Sequence, residues 1–201
     1  MTSRGTKKRL SDLQIGDEVL VVDTATGDLS FSPVITFLDR DPKEKRQFYV
    51  ITTETGQKLT LTPTHLVYST SGNEVIIEDD LTSFEAVYAK DIQEGDLLLV
   101  QTSRGQVRPA RVSTVEMRVL TGVYAPLTSM GNLVVDNIVA SCYAVVDSQW
   151  VAHMAFAPLR LLNSILPQNN NNRIDDGVHW YANSLYSLAE FVMPRHLAAA
   201  P

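Results

Sequence analysis

Cysteine occurs once among the 201 residues, as Cys142. A lone thiol closes no internal disulfide and builds no cysteine-rich zinc site. No metal and no cofactor is expected. Concentrated positive charge is missing as well. The formal net charge is −6, and the basic spots, Lys7-Lys8-Arg9 and Lys43 to Arg46, are short. Binding a phosphate backbone requires a dense array of cations, and short spots of this kind read as solvated loop charge. Nucleic acid is therefore not an expected partner. No apolar run approaches the roughly 20 residues that span a bilayer. The stretch from Met1 to Leu10 is polar and basic with no apolar segment behind it, so it does not read as a signal peptide. If the protein is secreted, its targeting signal lies on sequence outside this chain.

The composition is that of an ordinary globular chain, 44% hydrophobic and 20% charged. At this length a sizeable core can form without staples. Residues 11 to about 146 carry the signals of β structure. Glu18 to Val22 is a short apolar run bounded by turn residues, and Thr26-Gly27-Asp28 turns the chain before an extended pattern resumes over Leu29 to Leu38. Phe48 to Thr53 and Lys58 to Thr62 flank Glu54-Thr55-Gly56-Gln57, and Leu97 to Gln101 and Val107 to Val119 flank Ser103-Arg104-Gly105. Both pairs predict hairpins, and many short strands with turns between them predict a mainly β domain.

One internal repeat is present. Ser11-Asp12-Leu13-Gln14-Ile15-Gly16-Asp17-Glu18-Val19-Leu20 resembles Lys90-Asp91-Ile92-Gln93-Glu94-Gly95-Asp96-Leu97-Leu98-Leu99. In each copy Gly-Asp suits a turn that delivers the chain into an apolar strand. Two copies are too few for a solenoid and fit a pseudo-twofold domain. From about Asp147 the pattern changes. Trp150, Val151, Met154 and Ala155 have helical spacing, Pro158 suits the first turn of a helix, and Leu159, Leu162 and Leu166 follow as one stripe. Pro167 to Gly177, with asparagine from Asn169 to Asn172, reads as a polar linker. Tyr181, Leu185, Leu188 and Val192 form a last stripe, with Phe191 alongside. Two regions are expected: a β domain over 1–146 and an amphipathic helical tail over 147–201.

Chemistry can be carried at three places. In Leu61-Thr62-Pro63-Thr64-His65-Leu66 a hydroxyl and an imidazole stand three residues apart at a strand end. Such a pair can face one carbonyl, polarising it and protonating a leaving nitrogen, although a single histidine also serves purely structural roles. Asp39 follows the apolar Thr36-Phe37-Leu38. Partial desolvation there would favour a general base, and a strand-end turn aspartate paired with Arg40 is the alternative. Cys142, in Ile138 to Ala144, is either reactive or a small buried hydrophobe.

Taken in order, Thr36 to Asp41, Leu61 to Leu66, Tyr124-Ala125-Pro126-Leu127-Thr128 and Val139 to Ala144 resemble the C-terminal autoprocessing domains of hedgehog proteins. Gly177-Val178-His179-Trp180-Tyr181 is similar to the tail of the vertebrate-type members. The resemblance runs from about Arg9 to at least Tyr186. It implies the Hint fold shared with inteins, which agrees with the repeat. It also implies self-cleavage. A cysteine at the first position attacks the preceding glycine carbonyl to give a thioester, and the hydroxyl of cholesterol then displaces the sulfur. By resemblance Thr62 and His65 activate the amide and Asp39 deprotonates the sterol. Cys142 matches the family's second cysteine, a redox partner of the nucleophile. The tail matches the sterol-recognition region, with Trp150, Trp180, Tyr181 and Phe191 as candidates to meet sterol or a membrane surface, or to pack on the β domain. The implied partners are cholesterol as substrate and an N-terminal signalling domain in cis. The implied location is the secretory pathway (the endoplasmic reticulum) and the cell exterior.

The family domain opens with Cys-Phe after a glycine, whereas this chain opens Met1-Thr2-Ser3. The expectation is that these residues alone do not perform the first step, and that one edge of the fold is weakened. Intein-type splicing needs a C-terminal asparagine, and Leu197-Ala198-Ala199-Ala200-Pro201 does not supply one. The remaining alternative is a non-catalytic lipid-binding or interaction module on the same fold.

Overall fold

The two Gly-Asp boxes build the same structure twice. In the first, the Gln14 N–H donates to Asp17 Oδ2 at 2.8 Å and the Asp17 N–H to Gln14 O at 3.1 Å. In the second, the Gln93 N–H donates to Asp96 Oδ2 at 2.8 Å and the Asp96 N–H to Gln93 O at 3.2 Å. The turn needs a residue with positive φ, and Gly16 (90°) and Gly95 (96°) supply it. Each box is then tied to a long strand by two backbone bonds. Gly16 and Asp17 exchange them with Val34, and Gly95 and Asp96 with Val112, at 2.7 to 2.9 Å. A short 3-10 turn precedes each box, Leu10–Asp12 in one and Ala89–Asp91 in the other. The repeat is thus a pseudo-twofold of the fold.

The computed structural model describes residues 2–3, 5–72, 81–144, 153–158, 160–161 and 177–178. In chain order the strands are β1 (Glu18–Val22), β2 (Leu29–Thr53), β3 (Lys58–Leu61), β4 (His65–Thr70), β5 (Glu85–Tyr88), β6 (Leu97–Gln101), β7 (Val107–Thr128), β8 (Asn132–Val135), β9 (Ile138–Ala144) and β10 (Gly177–Val178). They form one sheet in the order β1-β2-β7-β6-β4-β9-β8, with β3 and β10 on β2 and β5 on β4. All pairings are antiparallel, and β2 runs against β7 from Val34↔Thr128 to Thr53↔Val112. At the chain start Thr2 bridges Val19, and the Ser3 N–H reaches Glu18 O at 3.2 Å, so part of the outer edge of β1 is covered.

Both predicted hairpins are present, but β2 is longer than the sequence pattern predicts. Its charged middle, Arg40 to Arg46, lacks the alternation that marks a half-buried strand. It is extended because it pairs with 120–124 of β7, beside Met117, Val119 and Leu120, which themselves face solvent. A bulge interrupts this stretch, since Asp41 pairs with Val123 and Lys45 with Thr121.

The core lies between the folded-over halves of the sheet. One cluster joins Leu13, Val34, Leu38, Leu66, Leu127 and Cys142. Another joins Ile51, Leu59, Val67, Leu98, Val112 and Ile138. Buried Asn132 ties β8 to β1, its amide accepting from the Val22 N–H at 2.9 Å and donating to Val22 O at 2.8 Å. A buried amide satisfied in this way avoids the cost of an unpaired buried polar group.

The described part of the tail is attached to this core. Residues 153–158 and 160–161 include helical turns, and the Arg160 N–H donates to Phe156 O at 3.2 Å. Phe156 is buried and stacks on Tyr143 with ring centroids 5.5 Å apart. The side chain anchoring this segment is Phe156, while Met154, a member of the predicted stripe, is 52% exposed. Gly177 and Val178, read from sequence as linker and tail, are strand residues paired with Arg40 and Asp39.

Candidate functional site

Thr62 closes the turn between β3 and β4, and its carbonyl accepts the His65 N–H at 3.0 Å. His65 therefore opens β4 with its position set relative to Thr62. Its ring is fixed at the far side, with Nε2 2.9 Å from Ser141 O on β9. A carbonyl only accepts, so Nε2 carries the proton and the neutral ring keeps its lone pair on Nδ1. Burial pushes the imidazole pKa below its ordinary value, and the Ser141 carbonyl opposes this only in part. The ring is neutral at pH 7.

That shift has a consequence for stability. A histidine whose folded pKa is depressed takes up its proton more readily in the unfolded chain. Stability is then full above the unfolded pKa, near 6.5, and declines as pH falls from there toward the folded pKa, by at most about 1.4 kcal/mol per pH unit for one proton. The urea midpoint of the parent is expected to drop more between pH 7 and pH 5 than that of His65→Gln. Parallel midpoints in the two proteins would exclude His65 as a source of the pH dependence.

Cys142 lies on the same strand as Ser141 and is 1% exposed. Its N–H donates to Gly131 O at 2.8 Å, and its Sγ is 3.7 Å from Thr128 Oγ1. Burial pushes the thiol pKa up to about 11, with Thr128 and Arg160 pulling in the other direction. In this conformation it is an enclosed, protonated thiol. Beyond it the Tyr143 hydroxyl meets His153 Nδ1 at 3.1 Å and accepts from Arg160 Nη1 at 2.9 Å. These contacts latch the helical segment over the thiol.

Asp39 sits mid-strand in β2, not at a strand-end turn, with Ala125 of β7 on one side and Val178 of β10 on the other. Its partner is Arg46 rather than Arg40. Asp39 Oδ2 accepts from Arg46 Nη1 at 2.7 Å, and the carboxylate side chain is 15% exposed. Arg46 Nη2 donates to Glu44 Oε2, also at 2.7 Å. The hydrogen bond to Glu44 raises the guanidinium pKa most, burial opposes it, and the charge of Asp39 and its hydrogen bond raise it further. Arg40 turns elsewhere, with its guanidinium over the Phe37 ring at 4.9 Å and Nη2 donating to Ser11 O at 3.3 Å.

Thr62 and His65 are thus adjacent, and Cys142 is next to the residue that orients His65. Asp39 is linked to them through the core, because its neighbour Leu38 packs in the same cluster as Leu66 and Cys142. No hydrogen bond or ion pair among the described residues joins Asp39 directly to the Thr62–His65 pair. Trp150, Trp180, Tyr181 and Phe191 lie outside the described residues. Ser141 and Tyr143 lie in the Val139 to Ala144 motif without being singled out by it, and Arg46, His153 and Arg160 lie outside the motifs. Among the described residues no group of three or more histidine, cysteine, aspartate or glutamate side chains is placed to hold a metal, and no helix is long and apolar enough to cross a membrane.

A curled, pseudo-twofold β domain with this Thr-x-x-His turn defines a class, and a family model for the Hint module matches residues 1–194. The chain belongs to the Hint family. It is 38% identical over 203 residues to the sonic hedgehog protein of Danio rerio, covering 96% of this chain and 47% of that protein. It is 36% identical over 208 residues to the hedgehog protein of Drosophila virilis, covering 95% of this chain and 41% of that one. The chain therefore spans less than half the length of these curated relatives. Among solved structures, the PabCDC21-1 intein superposes with a TM-score of 0.54 at 14% identity, covering 70% of this chain and 92% of that one. A DnaB intein from Synechocystis sp. PCC 6803 gives 0.54 at 13%, covering 69% and 89%. The intein likeness bears on fold alone, and it agrees with the Hint architecture expected from the sequence.

Proposed function

We propose that this chain is the autoprocessing part of a hedgehog-type precursor, cleaving it through an internal thioester and passing the released N-terminal signalling domain to cholesterol. The observation that carries this reading is the partly buried His65 imidazole, protonated on Nε2 toward Ser141 O and presented beside Thr62. An amide is a poor electrophile with a poor leaving group, so the first step needs polarisation of the carbonyl and a proton for nitrogen. Thr62 serves the carbonyl. His65 Nδ1 takes the proton of the attacking thiol and hands it to the nitrogen as the C–N bond breaks and the C–S bond forms. Burial favours this transfer, because an imidazolium with a lowered pKa gives up its proton readily.

The thioester is a better acyl donor, but a sterol alcohol is a weak nucleophile. Asp39 removes its proton as the ester C–O bond forms and the thiolate departs. Cys142 is the redox partner of the nucleophilic thiol. The tail beyond Val178, with Trp180, Tyr181 and Phe191, meets the sterol or a membrane surface together with Trp150. This reading places the protein in the secretory pathway and outside the cell.

The test supplies the nucleophile in a defined position. A reporter domain and a Gly-Cys-Phe-led first strand are fused ahead of this chain, and cleavage is followed by gel and product mass. Release by dithiothreitol, and release with a sterol adduct when cholesterol is added, are the expected results. A soluble, folded fusion that neither nucleophile cleaves would overturn the reading.

A further inference from the structure

The Asp39–Arg46 contact is not what an ordinary strand provides. A strand advances about 3.3 Å per residue, which would carry Arg46 well beyond side-chain reach of Asp39. The bulge shortens that path, since β2 runs from Asp41 to Lys45 while β7 runs only from Val123 to Thr121. Asp41 holds the bulge in shape, its Oδ1 accepting the Lys43 N–H at 2.8 Å and the Glu44 N–H at 3.0 Å. The bulge thereby sets both Glu44 and Arg46, and Glu44 Oε2 anchors the second arm of the guanidinium. The arginine forks between two carboxylates and is fixed at both arms.

The two oxygens of Asp39 consequently differ. Oδ2 is held by Arg46. Oδ1 is buried and has no hydrogen-bond partner among the described residues. A buried acceptor without a donor is costly, and an incoming hydroxyl would satisfy it. The backbone beneath is immobilised from both sides by β7 and β10. A base held in this manner loses little orientation when it meets its substrate.

We propose that Arg46 is a positioning residue for the sterol step, pinning Asp39 Oδ2 so that Oδ1 is the oxygen that receives the alcohol proton. This rests on the reading of Asp39 as the sterol base. In this role Arg46, whose side chain bonds Asp39 and Glu44, acts through Asp39.

The experiment uses the reporter fusion described above. In Arg46→Ala, kcat for cholesterol-driven release is expected to fall between about ten- and a hundred-fold, with KM for cholesterol within twofold of the parent. Dithiothreitol-driven cleavage, which needs no base at Asp39, is expected to stay at the parent rate and reports that the fold and the thioester step are intact. Arg46→Lys, which keeps one donor and the charge, is expected to recover part of the loss, and Arg46→Gln less. Sterol-driven kcat within twofold of the parent in both Arg46→Ala and Arg46→Gln would overturn the inference and leave the proposed function standing. An equal loss of both cleavages in all three variants would make Arg46 purely structural and overturn it likewise. A parent fusion cleaved by dithiothreitol but not by cholesterol would sink the sterol reading, and the role of Arg46 with it.

Discussion

Replacing His65 with alanine in the reporter fusion lowers dithiothreitol-driven cleavage by about a hundred- to ten-thousand-fold, the usual range for loss of a positioned proton donor. Dithiothreitol intercepts only the thioester, so this assay isolates the first step. Without the imidazole the leaving nitrogen has no proton source in a buried site. The Ser141 carbonyl also loses the Nε2–H donor that reaches it at 2.9 Å, at a cost of about 0.5–1.5 kcal/mol for one hydrogen bond. Part of any lost activity could therefore reflect lost fold, and thermal unfolding separates the two. His65→Gln is the sharper variant, since its amide can still donate toward Ser141 O but shuttles no proton. Loss of cleavage in His65→Gln with a near-parental melting temperature would assign the effect to chemistry. Cleavage by His65→Gln within tenfold of the parent would remove His65 from the proton path.

The parts of this protein legible in its sequence are those written in local chemistry. The Gly16-Asp17 and Gly95-Asp96 turns could be read because each needs positive φ and a short acceptor, and both copies make the same bonds. The hairpins at Glu54 to Gln57 and Ser103 to Gly105 were marked by glycine between apolar runs. The apolar neighbours of Cys142 left both a reactive and a buried thiol open, and the structure places it at 1% exposure.

What could not be read depends on register. The carbonyl that orients His65 belongs to Ser141, far along the chain, and faces the ring only because His65 pairs with Ala144 across β4 and β9. Arg46 meets Asp39 through a bulge that no periodicity announces, while Arg40, the nearer cation in sequence, turns toward Phe37 and Ser11. Neighbouring residues on a strand face opposite sides, so the adjacent arginine was a poor choice of partner. In the tail, a helical stripe drawn through Met154 missed Phe156, because a turn divides the segment and changes which side chain meets the core.

Substituting Asp39 by alanine is expected to abolish transfer to cholesterol and spare cleavage by dithiothreitol. The loss should again be about a hundred- to ten-thousand-fold, now confined to the second step. The asymmetry follows from the chemistry of the two nucleophiles. A thiol such as dithiothreitol ionises to a useful extent near neutral pH, whereas a sterol alcohol does not and requires a base in the transition state. Alanine also removes the partner of Arg46 and could disturb the bulge, so Asp39→Asn is the decisive companion. Asparagine is nearly isosteric, keeps an oxygen for the Arg46 guanidinium and offers no basic oxygen to the alcohol. If Asp39 acts as a base, both variants lose sterol transfer together. If it matters only as the anchor of Arg46, Asp39→Asn keeps transfer within about fivefold of the parent and only Asp39→Ala fails. The measurement is sterol adduct by product mass over time at saturating cholesterol, with dithiothreitol release on the same preparations. The choice between base and anchor then turns on a single oxygen, Oδ1, which is buried in β2 with no donor facing it among the described residues.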